Sequence, residues 1–387
     1  MSERRIYYFD NNATTRVAPE VIEAMLPFLE EQWGNPSSAY RFGHEVAGHL
    51  DRARAKVAAL IGAEPREIVF TSCGTESNNT ALQGVLLAHP ERRHVVTTAV
   101  EHSANLRFCD ALVRRGYEVT LVPVDGDGLV DLNRFEQALR PDTAIASVMW
   151  ANNETGVLSP IAEAAAICRS KGVVFHTDAV QAAGKIPINV REIEVDLLSL
   201  SGHKLNAPKG IGALYVKRRT RLQPYLLGGH QEAGRRAGTE NVPYIVGFGR
   251  AAEMALERLS GHAARLRALR DQLEAAILGG IPGTARNGAR EPRLPNTSNV
   301  AFAGLDAEAI LMLLDQAGIC ASSGSACTTG SLEPSHVLTA MGIPTRRAQG
   351  SIRFSLGTYT TQEEVDYLIQ ELPRVIGRLR AAAPPMN

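Results

Sequence analysis

Val21, Met25 and Leu29, flanked by Ile22 and Leu26, recur at helical spacing and predict one helix over 18–31, with Pro19 in its first turn. A second helical row runs from Tyr40 to Ile61 and ends at Gly62, a residue suited to the left-handed turn that closes helices. The pattern then changes to short apolar runs of strand length, at 67–71, 94–98, 117–122, 143–150, 173–177, 196–200 and 212–216. The first five are separated by spans long enough for a crossover helix, which predicts a mainly parallel sheet covered on both faces.

Beyond Val216 that rhythm stops. Residues 217–241 are basic, glycine-rich and aperiodic, and 242–278 turn helical with a break predicted at Ser260 and Gly261. The stretch 281–296, rich in Pro, Gly and Arg, predicts a surface connection. Strand patterns follow at 297–302 and 351–356, and helical ones at 306–317 and 361–379. The class predicted is α/β, with a large, mainly parallel-sheet domain over 14–259. A small α+β domain is formed by 1–13 and 260–387.

Composition narrows the function classes. The 387 residues, at about 150 per domain, correspond to roughly 2.6 domains, in keeping with two packed units. With Lys+Arg 41 against Asp+Glu 41 the net charge is zero, so the long-range field of a nucleic-acid binder is missing. No apolar run approaches the ~20 residues that span a bilayer, and no membrane association is expected. The start, MSERRIYYFD, reaches an acidic residue before any apolar leader could form, so the expected location is cytoplasmic. Five cysteines, at 73, 109, 168, 320 and 327, form no CxxC pair, which argues against a disulfide framework and against a zinc site. A thiol with a function here acts as a free thiol.

The sharpest chemical signal lies between 173 and 204. VVFHTD ends one predicted strand on Asp178, and DLLSLSGHK ends the next with Ser201, His203 and Lys204. Ligands of open α/β sheets bind at the carboxyl ends of strands, so these side chains are expected to converge. An amine beside a carboxylate suggests a Schiff-base cofactor. Pyridoxal 5'-phosphate needs a lysine, a carboxylate that keeps its ring nitrogen protonated, and a phosphate cup. Lys204 and Asp178 answer the first two needs. Cys73-Gly74-Thr75-Glu76-Ser77, which follows EIVFT and opens a helix, answers the third. Singly each part is weak, since a lysine after a strand is usually a solvated loop residue and an aspartate there is usually a helix cap. Order and spacing together carry the signal. No G-x-G-x-x-G follows a strand and no G-x-x-x-x-G-K-[ST] occurs, so dinucleotide and P-loop readings fall away.

The runs TSCGTESNN, MWANNETGV, FHTDAVQAAGK, SLSGHKLNAPKG, RRAGTEN and SSGSACTTGSLEPSHV resemble those of the pyridoxal-phosphate-dependent cysteine desulfurases. The resemblance is strongest to the branch found with nitrogen-fixation genes. It extends from YFDNNATT to SIRFSLGTYT, nearly the whole chain. It implies the fold-type I architecture, similar to aspartate aminotransferase, and a homodimer. By the same resemblance Lys204 would carry the cofactor, Asp178 would pair with its ring nitrogen, and Gln181 would bond its ring hydroxyl. His102 would stack on the ring and move protons, although a histidine at that point also reads as a helix cap. Gly74, Thr75, Ser201 and His203 would hold the phosphate, and Thr239 would reach it from the other subunit. Asn153 would contact the ring or the substrate, L-cysteine, while Asn12 and Arg353 would receive that substrate.

Cys327 lies in a small, polar, aperiodic segment within 321–333, which predicts an exposed and mobile loop. In the resembling family this residue is the nucleophile that accepts sulfur as a persulfide. At about 3.3 Å per extended residue, five or six residues on each side permit a swing of order 10 to 20 Å. The implied acceptor is an iron-sulfur scaffold or another sulfur-accepting protein. No metal site of the chain's own is expected, only contact of the Cys327 persulfide with a nascent cluster. Two other readings of the residues stay open: another enzyme of this cofactor fold, such as a selenocysteine lyase or an aminotransferase, and a non-catalytic sulfur-assembly subunit.

Overall fold

The computed structural model describes residues 5–323 and 334–382. Its strands in chain order begin with β1 (Tyr7–Tyr8), β2 (Ile68–Thr71), β3 (His94–Thr98), β4 (Glu118–Val122) and β5 (Thr143–Met149). They continue with β6 (Val174–Asp178), β7 (Leu197–Ser201), β8 (Gly212–Val216) and β9 (Thr284–Arg286). The last are β10 (Thr297–Phe302), β11 (Ile319–Cys320) and β12 (Ser351–Ser355).

Seven of them form the large sheet, in the order β2-β8-β7-β6-β5-β3-β4. Pairings from β7 through β6, β5 and β3 to β4 are parallel, and β8 is antiparallel to both its neighbours. Alternate residues face opposite sides of a strand, and both sides are covered. Phe70, Val96, Leu198 and Tyr215 enter one core with the helix Arg41–Leu60, while Val69, Val95, Leu197 and Leu214 enter another beneath the helices Gly74–Ala88 and Ser103–Arg114. The strongly apolar strand runs seen in the sequence are explained by this two-sided burial. A smaller antiparallel sheet, β12-β10-β9, packs on a third core that holds Phe9, Phe302, Phe354 and Leu368.

Four expectations are corrected. The helix over 18–31 is split into Pro19–Met25 and Pro27–Glu30, because Pro27 has no N–H to continue the ladder. The apolar row splits with it: Val21, Met25 and Phe28 are buried, whereas Ile22, Leu26 and Leu29 are exposed. The break at Ser260 and Gly261 does not occur, and one helix of 39 residues, about 58 Å long, runs from Val242 to Gly280. Its first half buries Phe248 and Ala252 in one core and its second half buries Leu266, Leu273 and Ile277 in the other. Anchoring on both sides outweighs the roughly 1 kcal/mol that a glycine costs inside a helix. The connection 281–296 contributes strand β9, and the chain start contributes β1, which pairs with β11 in parallel. These short elements lack a periodic signal of their own. Among the described residues no helix is long and apolar enough to cross a membrane.

Candidate active site

Because β6 and β7 are parallel neighbours, Asp178 and Ser201 end on the same edge of the sheet, and the short turn Gly202–Lys204 carries His203 and Lys204 beyond it. The turn after β2 and the N-terminal segment close over this edge. Together they enclose a cavity of about 410 Å³, within the range that small-molecule sites occupy. Its wall includes Asn12, Gly74, Thr75, His102, Asn153 and Asp178, and also Gln181, Ser201, His203, Lys204 and Arg353. Twelve of the thirteen residues named from the sequence lie in the described chain, and eleven of those twelve line this one space.

Lys204 Nζ donates to the carbonyls of Asn12 at 2.5 Å and Ala13 at 2.7 Å. Asp178 is 3 % exposed, and its two oxygens accept from Asn78 Nδ2 at 2.7 Å and from the Val180 N–H at 2.9 Å. Two donors fix the orientation of this buried carboxylate at the end of β6. At the turn after β2, no side chain caps the helix Gly74–Ala88, so its first N–H groups are left to an anion. A Cβ on Gly74 would stand 2.9 Å from Val180 Cγ2 and 3.4 Å from Ser201 Cβ, and only glycine leaves this cup open. Ser201 Oγ is buried and has no hydrogen-bond partner among the described residues. A buried hydroxyl without a partner beside an uncapped helix start is what a phosphate would satisfy. Amine, buried carboxylate and anion cup thus fit pyridoxal phosphate.

The two histidines are in different states of use. His203 Nδ1 is hydrogen-bonded to Thr14 Oγ1 at 3.2 Å, and burial, then Lys204 and Lys209, push its pKa down to about 3, so the ring is neutral. His102 caps the helix Ser103–Arg114, its Nδ1 accepting from the Ala104 N–H at 3.1 Å. It also lines the cavity, so capping the helix does not remove it from the site. Its neighbour Glu101 is fully buried and accepts from Met149 N–H, Thr98 Oγ1 and Asn105 Nδ2 at 2.7, 2.8 and 2.9 Å. Burial raises the Glu101 carboxyl to about 7 against the pull of those donors.

Arg353, on β12, is nearly inaccessible. Its guanidinium donates to Asp10 Oδ1 at 2.6 Å and to the Asn153 carbonyl at 3.0 Å, and its Nε is buried with no partner among the described residues. The Asn12 carboxamide is engaged with protein groups: Nδ2 donates to Thr297 Oγ1 and the Asn153 carbonyl, and Oδ1 accepts from Asn296. Asn12 therefore braces the site with its side chain and offers its backbone carbonyl to Lys204. Asp10, Asn78, Glu101, Glu154 and Lys185 were given no role from the sequence. Asp10, Asn78, Glu154 and Lys185 stand inside the runs YFDNNATT, TSCGTESNN, MWANNETGV and FHTDAVQAAGK, but only the fold shows what they touch.

Thr239 is not in this cavity. It lines a separate one of about 150 Å³ with Glu232, Arg236 and Glu240, next to Thr71 and Ser72. Arg236 pairs with Glu76 at 2.8 Å and ties that segment to the phosphate-cup helix. Cys327 lies outside the described residues. The residues that flank its segment are fastened to the site: Ser322 pairs through its backbone with Arg353, and Ser335 Oγ donates to the buried Glu154 carboxylate at 2.5 Å. Cys109 and Cys168 are buried within helices, and burial raises both thiols, Cys109 to about 12. Among the described residues no group of His, Cys, Asp or Glu could hold a metal ion.

Comparison with known proteins agrees with this geometry. The chain is 54% identical over 378 residues to "Cysteine desulfurase NifS" of Azotobacter vinelandii, covering 97% of this chain and 94% of that one. A solved structure titled "NIFS-LIKE PROTEIN" superposes with a TM-score of 0.91 at 41% identity, covering 97% of this chain and 100% of the other. Another, "SspA in complex with cysteine", does so at 0.81 and 35% identity, covering 92% and 99%. The aminotransferase class-V family model matches residues 7–368. The chain belongs to the class-V aminotransferase family, and its relatives within it are cysteine desulfurases.

Proposed function

We propose that this protein is a pyridoxal-phosphate-dependent cysteine desulfurase that converts L-cysteine to L-alanine and takes the sulfur onto Cys327. The observation that carries the reading is the convergence of Lys204, Asp178 and the phosphate cup on one cavity of about 410 Å³. Relatives named cysteine desulfurase and a cysteine-bound structure of a similar chain support the choice of substrate.

When bound, pyridoxal phosphate supplies an electron sink for the pair left at the substrate Cα. Lys204 would hold the cofactor through its amine and, once free of it, would take the substrate Cα proton. Asp178 would pair with the ring nitrogen, Gln181 would bond the ring hydroxyl, and His102 would lie against the ring. Gly74 and Thr75, with Ser201 and His203, would hold the phosphate at the helix start. Arg353 receives the substrate carboxylate with its unpartnered Nε and remaining N–H groups, with Asn12 and Asn153 bracing it. The Cys327 thiolate attacks the substrate sulfur, the C–S bond breaks, and Cys327 keeps the sulfur as a persulfide. Reprotonation of the carbon skeleton releases alanine, so one cysteine yields one alanine and one persulfide.

We further propose that a second copy of the chain completes the site through Thr239. Trp33 and Thr239 line one surface groove, and Trp33, Leu29 and Leu227 are exposed apolar side chains of the kind an interface covers. The two cores support a division into 14–259 and 1–13 with 260–387, since Ala18 and Phe248 enter one, and Phe9 and Leu266 the other. The persulfide sulfur passes to an iron-sulfur scaffold or another acceptor protein in the cytoplasm. The deciding experiment supplies L-cysteine and a thiol reductant and measures alanine and sulfide together. Equal amounts support the reading; alanine without sulfide, or neither product from cofactor-loaded protein, removes it.

A further inference from the structure

Lys185 is buried behind the site, lining a small cavity of about 60 Å³ together with Lys204, Arg258 and His262. Its Nζ donates to Gln181 Oε1 at 2.7 Å and to Asn12 Oδ1 at 3.3 Å. Gln181 Nε2 donates in turn to the Asn12 carbonyl at 2.9 Å, the same oxygen that receives Lys204 Nζ. A carboxamide can present either its oxygen or its amine to a cavity, and only its partners decide between them. Lys185 Nζ, which carries N–H donors charged or neutral, occupies Gln181 Oε1. The carboxamide amine is then turned toward Asn12, with a second N–H left for an occupant of the cavity that Gln181 lines.

The surroundings of Lys185 explain why such an amine is worth burying only for a purpose. The charges that act on it are Lys204 and Arg353, and it acts in turn on His203 and His262. Burial first, and then the two cations, bring its pKa down to about 7. An amine buried among cations destabilises the fold unless hydrogen bonds or an anion offset it. Gln181 and Asn12 supply the hydrogen bonds.

We propose that Lys185 is a positioning residue that acts through Gln181, holding the Gln181 carboxamide with its N–H side toward the ring oxygen of the bound cofactor. The proposal rests on the reading of the large cavity as the pyridoxal-phosphate site.

The test titrates apo-protein with pyridoxal phosphate and reads affinity and the visible absorbance band for wild type, Lys185→Met, Gln181→Leu and the double variant. Lys185→Met is expected to weaken affinity about tenfold and to shift the band, as loss of a supporting hydrogen-bond partner does. In the Gln181→Leu background the same change is expected to cost under about twofold, because coupled residues are not additive. An equal loss in both backgrounds, or no loss in either, overturns the proposal. Thermal melting of the apo forms is read alongside, and Lys185→Gln carries the same cycle if the methionine variant does not fold. A wild type that acquires no visible band removes the cofactor reading itself, a result distinct from a wild-type band that Lys185→Met leaves unchanged.

Discussion

Asn78 donates to Asp178 at 2.7 Å across the site, joining the phosphate-cup helix to the end of the central strand β6. The bond ties the two ends of the proposed cofactor, ring and phosphate, to each other through protein. Asp178→Asn keeps the size of the side chain but removes its charge. The expected outcome is cofactor binding with alanine production lowered at least about a hundredfold, measured under saturating cysteine. Asn78→Ala leaves Asp178 one donor short at a cost of about 1–3 kcal/mol. Its cofactor affinity is expected to fall, as read by equilibrium titration, because the carboxylate loses the bond that fixes its orientation.

Lys204→Ala is expected to bind cofactor without a covalent link, so that borohydride fixes no label and turnover is abolished. Cys327→Ala, in contrast, is expected to keep the cofactor colour and lose sulfide release. The pair separates the two halves of the chemistry, and undiminished desulfuration by Cys327→Ala would remove that thiol from the scheme.

Gly74→Ala is a test of space. The added methyl meets Val180 Cγ2 at 2.9 Å, and a β-branched neighbour has little freedom to move aside. Cofactor affinity is expected to drop by about tenfold or more, as read by equilibrium titration. Val180→Ala in the same chain is expected to restore most of it.

Glu101 sets a pH dependence of stability. Its carboxyl titrates at about 7 in the folded protein, against 4.5 as the ordinary value, and burial is the main cause. Because the folded pKa is raised, the stability associated with the protonated acid is fully present below about 4.5 and is lost as pH rises through about 7. The loss approaches roughly 3 kcal/mol above that window. Glu101→Gln is expected to flatten the dependence: denaturant midpoints of wild type are to fall between pH 5 and 8 by more than those of the variant. Parallel pH curves for the two proteins would show that Glu101 is not the group responsible.

Much of the architecture was legible because burial on both faces of a sheet leaves an uninterrupted apolar run. His94–Thr98, Gly212–Val216 and Thr297–Phe302 match their predicted runs residue for residue. Short or sterically interrupted elements were not legible. Strand β1 is two residues long, and its partner β11 follows more than 300 positions later, so pairing alone defines it. The predicted break at Ser260 is overridden because one helix serves two cores, a fact that no local window contains.

The sequence by itself determined the chemistry available to the site: an amine, a carboxylate and a glycine turn opening a helix, each placed at the end of an apolar run, and a cysteine in a small polar segment. Chain order and residue type suffice for that, since strand ends and helix starts are local features. Tertiary structure alone decided what each group is paired with. Asn78 on Asp178, Asp10 on Arg353 and Lys185 on Gln181 join side chains from separate elements. Hydrogen bonds in a dry interior depend on positions in space, and Asp10 and Arg353 are brought together by the packing of the N-terminal segment on β12.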